Sequence, residues 1–412
     1  AKRSQLPGGA AYSAAKASSH PHAALIAALR HRCGLAARHR SQEAARLHAL
    51  RGCTPQGATS RTMMDAICGA TETKPDCAYI GQRYAGAEKY LGGARGPDGT
   101  IYAVPGHALR VMEINTRGET RLVGPELPGK FKWLRGILGR DGACYAIPCR
   151  AEQVLRIRPP LKGDKEPRVD LVGPKLPGLW KWHGAVEDPA TGLIYAIPQT
   201  ATKVLRLAPA GCLRNNEEPQ VDLIGPDLPG RWKFYGGLYS HTAKAIYGIP
   251  ACAPGVLRIG LPDESIEVIG DLPEGGWKWH GGCTTADGQV WGIPSNSLSV
   301  LRISPHPDGD VVSTIPGPDN KPLVGGQHRD DDKYKYLGGV VSPIDGCMYC
   351  IPSDADRILR VDPATASCSY VGRDLSDIAK GQSRGQNKWQ NGFAGQDGCI
   401  YAIPLKCERV LR

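Results

Sequence analysis

Short apolar runs, each ended by glycine, proline or polar residues, recur along most of this 412-residue chain. Residues 278–303, KWHGGCTTADGQVWGIPSNSLSVLRI, show the arrangement, with extended runs at 278–282, 289–293 and 300–303. Runs of this length that are rich in β-branched and aromatic residues are typical of strands, and they are too short for amphipathic helices. The pattern therefore predicts an all-β chain.

The middle run of this unit ends in Ile-Pro or Val-Pro and occurs seven times. Its closing prolines are Pro105, Pro148, Pro198, Pro250, Pro294, Pro352 and Pro404. They are 43 to 58 residues apart, and an apolar pair, followed in six copies by arginine, begins six residues after each proline. A fourth run, such as 170–172 or 221–224, lies between copies. Four short strands in each unit of this period predict a seven-bladed β-propeller of about 28 strands.

The ends of the repeat array indicate how the ring closes. The chain ends at Arg412, directly after the third strand of the seventh unit, and the run 78–81 before the first unit looks like a fourth strand. We expect this N-terminal strand to complete the last blade, because a closed ring has no exposed strand edges. Asp-Gly joins the first two strands in five copies, which is a strong hairpin signal.

Charge divides the chain into two regions, residues 1–76 and residues 77–412. The first region does not repeat and holds eleven Lys and Arg against four Asp and Glu, so its net charge is +7 and the propeller keeps +4. Residues 20–50 are rich in Ala, Leu, Arg and His and are predicted to be helical. We call residues 1–76 the arm, a basic and partly helical segment that ends in a linker.

Three interpretations of the arm stay open. It docks the protein onto a partner complex, it is an organellar transit segment, or it packs on its own propeller. The first interpretation assigns partner binding to Arg30, Arg32, Arg38, Arg40 and Arg46. An Arg-rich, acid-poor amphipathic N-terminus is typical of organelle targeting, so we expect a mitochondrial or plastid protein that is soluble or peripheral.

A lysine followed by an aromatic residue stands near the start of the predicted first strand in every repeat. These lysines are Lys89, Lys132, Lys181, Lys233, Lys278, Lys335 and Lys388. In a propeller they would form a ring near the central channel. One interpretation is architectural, with each lysine packing its stem on an aromatic ring and pairing locally. The other is a basic ring that binds an anion, an acidic peptide or a nucleic-acid backbone.

The repeat loses its symmetry two residues after each lysine. Three consecutive copies carry His183, Tyr235 and His280 there, the last carries Gln390, and the other three carry leucine. Together with the lysines, these four residues are candidates for a binding surface at the channel mouth. The two histidines lie in non-adjacent blades with no fixed carboxylate nearby, so the sequence predicts no metal site.

The sequence contains no Walker, GxSxG, HExxH or EF-hand motif, so no catalytic residue and no cofactor is predicted. Its KWxGG and DGxIYxIP motifs, over about residues 77–412, resemble the KWxGG/DGxIYGIP repeat β-propellers of algae and protists. More broadly, they resemble seven-bladed propellers with Kelch-like, NHL-like or lyase-like blades. This resemblance implies the fold and carries no activity to a particular residue.

The expected function is that of a non-catalytic scaffold subunit of a larger organellar assembly, in which the propeller binds protein subunits and the arm is the anchor. One alternative is a lyase-type or lactonase-type propeller enzyme that acts at the channel mouth through His183 and His280. Another is an RNA-associated subunit whose arm contacts phosphates, with binding that weakens steeply as salt rises. No apolar run reaches the ~20 residues of a membrane helix, and nothing indicates a homo-oligomer.

Overall fold

A computed structural model describes residues 84–85, 88–161, 163–380 and 386–412 of the chain. In this part of the chain, 26 β-strands form seven antiparallel sheets, and the helices are two 3-10 turns, Pro318–Asn320 and Ser376–Lys380. Consecutive strands pair within each sheet, so every sheet is a meander. The all-β prediction is therefore confirmed. No helix in the described ranges has the length and apolar character needed to cross a membrane.

The sheets are numbered 1 to 7 in chain order. Sheets 1 to 3 consist of β1 (Tyr90–Arg95), β2 (Ile101–Pro105), β3 (Val111–Ile114), β4 (Thr120–Val123); β5 (Trp133–Leu138), β6 (Cys144–Pro148), β7 (Val154–Arg158), β8 (Arg168–Val172); and β9 (Trp182–Glu187), β10 (Ile194–Pro198), β11 (Val204–Ala208), β12 (Gln220–Ile224). Sheets 4 to 7 consist of β13 (Phe234–Ser240), β14 (Ala245–Pro250), β15 (Val256–Gly260), β16 (Ile266–Ile269); β17 (Trp279–Thr284), β18 (Val290–Pro294), β19 (Ser299–Ser304), β20 (Val311–Pro316); β21 (Tyr336–Val341), β22 (Met348–Pro352), β23 (Ile358–Asp362), β24 (Ser367–Val371); and β25 (Trp389–Ala394), β26 (Ile400–Pro404).

The predicted strand positions agree with the structure to within two residues. The runs 278–282, 289–293 and 300–303 become β17, β18 and β19. Within the described residues, sheet 7 has two strands, and a single bridge from Ala402 to Leu411 pairs the end of the chain with β26. The run 78–81, which we expected to complete this sheet, and the whole arm lie outside the described residues.

The first strands of the sheets are the elements that hold neighbouring sheets together. β1 contacts β5, β5 contacts β9, and the series continues through β13, β17 and β21 to β25. Six apolar clusters lie between successive sheets, and each takes side chains from both of them. The aromatic residue after the repeat lysine is buried in these clusters, as Trp133, Trp182 and Trp279 show. This arrangement is that of a β-propeller, with its core between blades rather than at its centre.

The Asp-Gly pairs form the turns between first and second strands, as the sequence predicts. At Asp141-Gly142 the glycine has φ +80°, which is unfavourable for residues with a Cβ atom. Asp141 Oδ1 accepts a hydrogen bond from the Ala143 N–H at 3.1 Å, and its Oδ2 accepts one from the Tyr145 hydroxyl at 2.6 Å. The aspartate therefore fixes the turn and anchors the next strand at the same time.

Candidate functional site

Six of the seven repeat lysines are buried, and most of these bind main-chain carbonyls. Lys132 is 3% exposed, and its Nζ donates to the carbonyl oxygens of Gly106 at 2.8 Å, Ala108 at 2.9 Å and Gly129 at 3.1 Å. Two of these carbonyls belong to the preceding sheet's loop and the third to the loop before β5. The same bonds recur, with two or three carbonyls each, at Lys181, Lys233, Lys278 and Lys335.

These bonds show what the lysines do chemically. Burial lowers the pKa of Lys132, Lys181, Lys233 and Lys335 to about 8, so the ammonium form still prevails at neutral pH. Its N–H donors then match the carbonyl acceptors of two neighbouring sheets. The geometry favours the architectural interpretation of these lysines, because their charged ends face the main chain. Lys388 is fully buried, with Asp356 Oδ1 3.9 Å from its Nζ, and Lys89 is half-buried.

The residue before each lysine forms a feature that our sequence analysis missed. At this position Phe131, Trp180, Trp232 and Trp277 have φ between +49° and +57° and turn their rings toward one another. Ring centroids are 4.9 Å apart for Phe131 and Trp180, 5.9 Å for Trp180 and Trp232, and 5.4 Å for Trp232 and Trp277. We call these four residues the aromatic arc.

The aromatic arc is partly open to solvent and carries two arginines. Trp277 is 39% exposed, and the other three rings are half-buried. The Arg150 guanidinium lies over Phe131 at 5.2 Å and over Trp180 at 4.5 Å, and Arg231 lies over Trp232 at 5.9 Å. The sequence signal was present as FKW, WKW, WKF and WKW, but our motif began at the lysine. The remaining copies have Glu88, Tyr334 and Asn387 instead.

The three symmetry-breaking rings predicted at the channel mouth do come together. His183 stacks on Tyr235 with centroids 3.6 Å apart, and Tyr235 lies 4.0 Å from His280. Tyr235 also contacts Trp277 of the aromatic arc at 6.5 Å. We call His183, Tyr235 and His280 the ring cluster. Gln390, the fourth candidate, is half-buried on β25 in sheet 7 and is not part of this group of ring contacts.

The ring cluster is electrically neutral at physiological pH. Burial lowers the pKa of His183 well below its usual value and that of His280 to about 4, and in both cases the charge of Arg135 lowers it further. Burial raises the pKa of Tyr235, which keeps the phenol protonated. The cluster therefore offers imidazole and hydroxyl groups as hydrogen-bond partners without a charge of its own. Among the described residues, Arg135 is the cation whose charge acts on both imidazoles.

Arg135 was not among our candidates. It lies on β5 directly after Leu134, the residue equivalent to His183, and strand pairing with β6 skips from Leu134 to Gly136. Arg135 is thus the extra residue of a β-bulge, it is exposed, and its φ is +63°. The signal that could have found it is the replacement of the first glycine of KWxGG by arginine.

The arginines proposed for the arm lie outside the described residues, so the structure does not bear on them. This applies to Arg30, Arg32, Arg38, Arg40 and Arg46. Their assignment to partner binding stays a prediction.

The fold and the geometry of the repeat define a β-propeller protein. No model of a protein family matches the sequence, and no curated protein matches it. Among solved structures, a streptogramin B lyase is similar with a TM-score of 0.50 and 13% identity, over 77% of this chain and 90% of that chain. Virginiamycin B lyase from Staphylococcus aureus gives 0.51 and 14%, over 78% and 93%.

A third solved structure has the same fold in a different setting. The extracellular domain of a hybrid two-component system from B. thetaiotaomicron has a TM-score of 0.50 and 8% identity, over 77% of this chain and 39% of that chain. At these identities the likeness concerns the fold alone, since one fold hosts many functions. The comparisons therefore support the β-propeller class and leave the activity to be argued from the site.

Proposed function

We propose that this protein is a non-catalytic interaction subunit whose aromatic arc docks a protein partner. The observation that carries the proposal is the arc itself: four rings at equivalent positions of neighbouring sheets, in ring contact and partly open to solvent. Aromatic residues and arginine are enriched in the cores of protein interfaces, and tryptophan and arginine dominate their hot spots. Arg150 and Arg231, which lie over arc rings, complete that composition.

The backbone of the arc supports the same proposal. Four large residues occupy the left-handed region, where a side chain costs about 1 kcal/mol or more relative to glycine. The buried ring after the lysine already fills the space between sheets, so the arc is not needed for that core. Exposed Leu179, next to Trp180, extends the apolar surface. The residue before the lysine has a positive φ in all seven copies, so this backbone belongs to the repeat. Four copies nevertheless carry a large, partly exposed aromatic ring there rather than asparagine, and recognition explains that choice better than packing does.

The scaffold that we propose for this surface is a closed ring of seven blades. Seven sheets in the described residues, joined in sequence through their first strands, support that number. In this proposal a strand from outside the described residues completes sheet 7. The arm then extends from the propeller and anchors it to an organellar assembly, as its charge and composition led us to expect.

The test replaces arc tryptophans with the residue that the chain itself uses at this position. Asn387 has φ +52°, so Trp180→Asn, Trp232→Asn and Trp277→Asn keep a residue type that tolerates this backbone. Full-length protein, the triple variant and a protein without residues 1–76 are purified natively from the source cells and sized. We expect the full-length protein in a large assembly, and both altered proteins released from it.

Tyr334→Asn is the matched control. Tyr334 is 46% exposed and occupies the same place in sheet 6 with φ +53°, but it lies outside the arc. The control should stay in the assembly. If the triple variant also stays in it while remaining folded, docking through the arc is wrong. If full-length protein runs as a free monomer of ~40 kDa, the scaffold proposal itself fails.

A second candidate function is that of a propeller enzyme acting at the ring cluster. The observation in its favour is that His183, Tyr235 and His280 meet, with both imidazoles neutral and hence able to accept a proton. Two of the similar solved structures are lyases, but they share the fold only. Turnover of a screened substrate that is abolished by His183→Gln and His280→Gln, and unaffected by Trp180→Asn with Trp232→Asn, would favour this candidate.

A further inference from the structure

Arg135 occupies a position where five of the other six repeats have glycine. The third residue after the repeat lysine is the bulged residue of each first strand, and its φ is positive in all seven sheets. Five of these residues are glycines, namely Gly92, Gly184, Gly236, Gly281 and Gly338. The exceptions are Arg135, with φ +63°, and Asn391, with φ +57°. Asparagine tolerates this conformation well, whereas arginine does not.

The crowding around the bulges explains the glycines. A Cβ atom at Gly92 would lie 2.8 Å from the Cα of Arg135, and one at Gly184 would lie 3.1 Å from the Cα of Gly236. Neighbouring first strands therefore approach each other closely along the series of bulges. Packing and backbone conformation both favour glycine there, so neither accounts for an arginine in sheet 2.

Local ion pairing does not account for Arg135 either. In the described ranges, no carboxylate lies within 4.0 Å of its guanidinium, although most other arginines of the sheets have such a partner. The side chain is exposed. A backbone outlier of this kind costs about 1–3 kcal/mol and is typical of ligand sites.

Arg135 lies on β5, which contacts β9, the strand that carries His183 of the ring cluster. The Arg135 charge acts on His183, Tyr235 and His280, which contact each other in sequence. His183 is 8% exposed, and its Nδ1 has no hydrogen-bond partner among the described residues. A buried imidazole nitrogen without a partner is destabilising unless a bound molecule or water supplies one. The site thus combines an unpaired cation with an unsatisfied polar group.

We propose that Arg135 and the ring cluster form a binding site for a small molecule that carries a carboxylate group. The guanidinium presents parallel N–H donors that match the two oxygens of a carboxylate. The neutral imidazoles and the Tyr235 hydroxyl supply further hydrogen bonds, and Trp277, in contact with Tyr235, offers an apolar ring to the rest of the ligand. The site shares Trp277 with the aromatic arc, but Arg135 lies outside the arc, so a substitution at Arg135 tests the site without altering the docking surface.

The charge of the site favours a carboxylate over a phosphate. One guanidinium carries one positive charge, and both histidines are neutral, so a monoanion is neutralised whereas a phosphate dianion would retain excess charge. Burying uncompensated charge is strongly unfavourable. Neither imidazole adds a second positive charge at neutral pH, because both pKa values are lowered.

The experiment uses benzoate as the probe, benzamide as its neutral isostere, and inorganic phosphate. Isothermal titration calorimetry is done on the full chain, on Arg135→Gly and on Arg214→Gly. Arg135→Gly introduces the residue that five other repeats have at this position, so it should fold at least as well as the natural protein. Arg214 is exposed in the turn after β11, so its variant removes one positive charge away from the proposed site.

We expect benzoate to bind the full chain and the Arg214→Gly protein alike, and benzamide not to bind. Arg135→Gly should weaken benzoate binding by about 10-fold to 100-fold, the loss of a charge-assisted hydrogen-bond pair. His183→Gln should weaken it less. Equal benzoate affinity in Arg135→Gly and the full chain would overturn the proposal, as would no benzoate binding at millimolar concentration. Tighter binding of phosphate than of benzoate would overturn the carboxylate assignment. We expect the Arg135→Gly protein to stay in the large assembly whether or not it binds benzoate. This test is therefore separate from the test of the arc.

Discussion

At the scale of single residues, the repeat lysine shows how one side chain joins two blades. An ammonium group has three donors and no acceptor, and each described loop pair around it presents two or three carbonyl oxygens. Lys181, for example, binds Cys149 and Ala151 in the loop after β6 and Gly178 in the loop before β9. The Lys181 side chain therefore joins sheets 2 and 3 by hydrogen bonds, and its ammonium group is not a solvent-exposed charge.

Replacing such a lysine should destabilise the fold. In Lys181→Met the apolar stem remains but the three carbonyls lose their donor, so we expect the free energy of unfolding to fall by about 2–4 kcal/mol. Chemical denaturation measures this change. Lys175→Met is the control, because Lys175 is 80% exposed and should change stability by less than about 0.5 kcal/mol. Equal stability of the two variants would contradict the cross-linking role.

At the scale of the element, the turn between the first two strands depends on an aspartate with two functions. Asp141 accepts hydrogen bonds from the N–H of Ala143 in the turn and from the Tyr145 hydroxyl. In sheet 7, Asp397 accepts the equivalent bonds from the Cys399 N–H and the Tyr401 hydroxyl. The tyrosine lies on the following strand, so the turn and the strand are fixed together. This is why Asp-Gly is a stronger signal here than turn propensity alone indicates.

Removing the aspartate should therefore weaken the hairpin measurably. We expect Asp141→Ala to lower the free energy of unfolding by about 1–2 kcal/mol, because the buried Tyr145 ring keeps its place while its hydroxyl loses an acceptor. Asp141→Asn, which retains an acceptor oxygen, should lose less. Asp164→Ala, at an exposed carboxylate in the loop before β8, serves as the control. If Asp141→Ala and Asp164→Ala denature at the same midpoint, the aspartate does not anchor the hairpin.

At the scale of the whole molecule, stacking of sheets places residues from distant parts of the sequence in one cluster. His183 and His280 are in sheets 3 and 5, with Tyr235 of sheet 4 between them. Their imidazoles are held neutral by burial and by the nearby Arg135 charge. Assembly of the propeller thus changes their protonation relative to the unfolded chain, which couples stability to pH.

The direction of that coupling follows from the lowered pKa values. Between pH 6.5 and about 4 the unfolded chain binds protons at these histidines and the folded chain does not, so stability is full above pH 6.5 and falls as the pH drops. We expect His280, which is partly exposed, to contribute about 2 kcal/mol to this loss. Urea denaturation between pH 7 and pH 4.5 measures it.

Variants identify the groups responsible for this pH dependence. His183→Gln with His280→Gln should flatten the pH dependence, whereas His306→Gln, at an exposed histidine, should leave it unchanged. An unaltered slope in the double variant would show that other groups titrate. Asp345 and Asp397, whose pKa values are lowered to about 2 by hydrogen bonds and nearby groups, act below this window.

The sequence by itself determined the strands, the sheet order and the candidate rings. Period and turn chemistry are local properties, so β17 to β19 could be located within two residues, and equivalent repeats had to place His183, Tyr235 and His280 at equivalent points. The burial of the lysines, the ring contacts of the aromatic arc and the isolation of Arg135 from carboxylates were decided only by tertiary structure. Each depends on distances between residues of different sheets, and the sequence pattern within one repeat does not specify those distances.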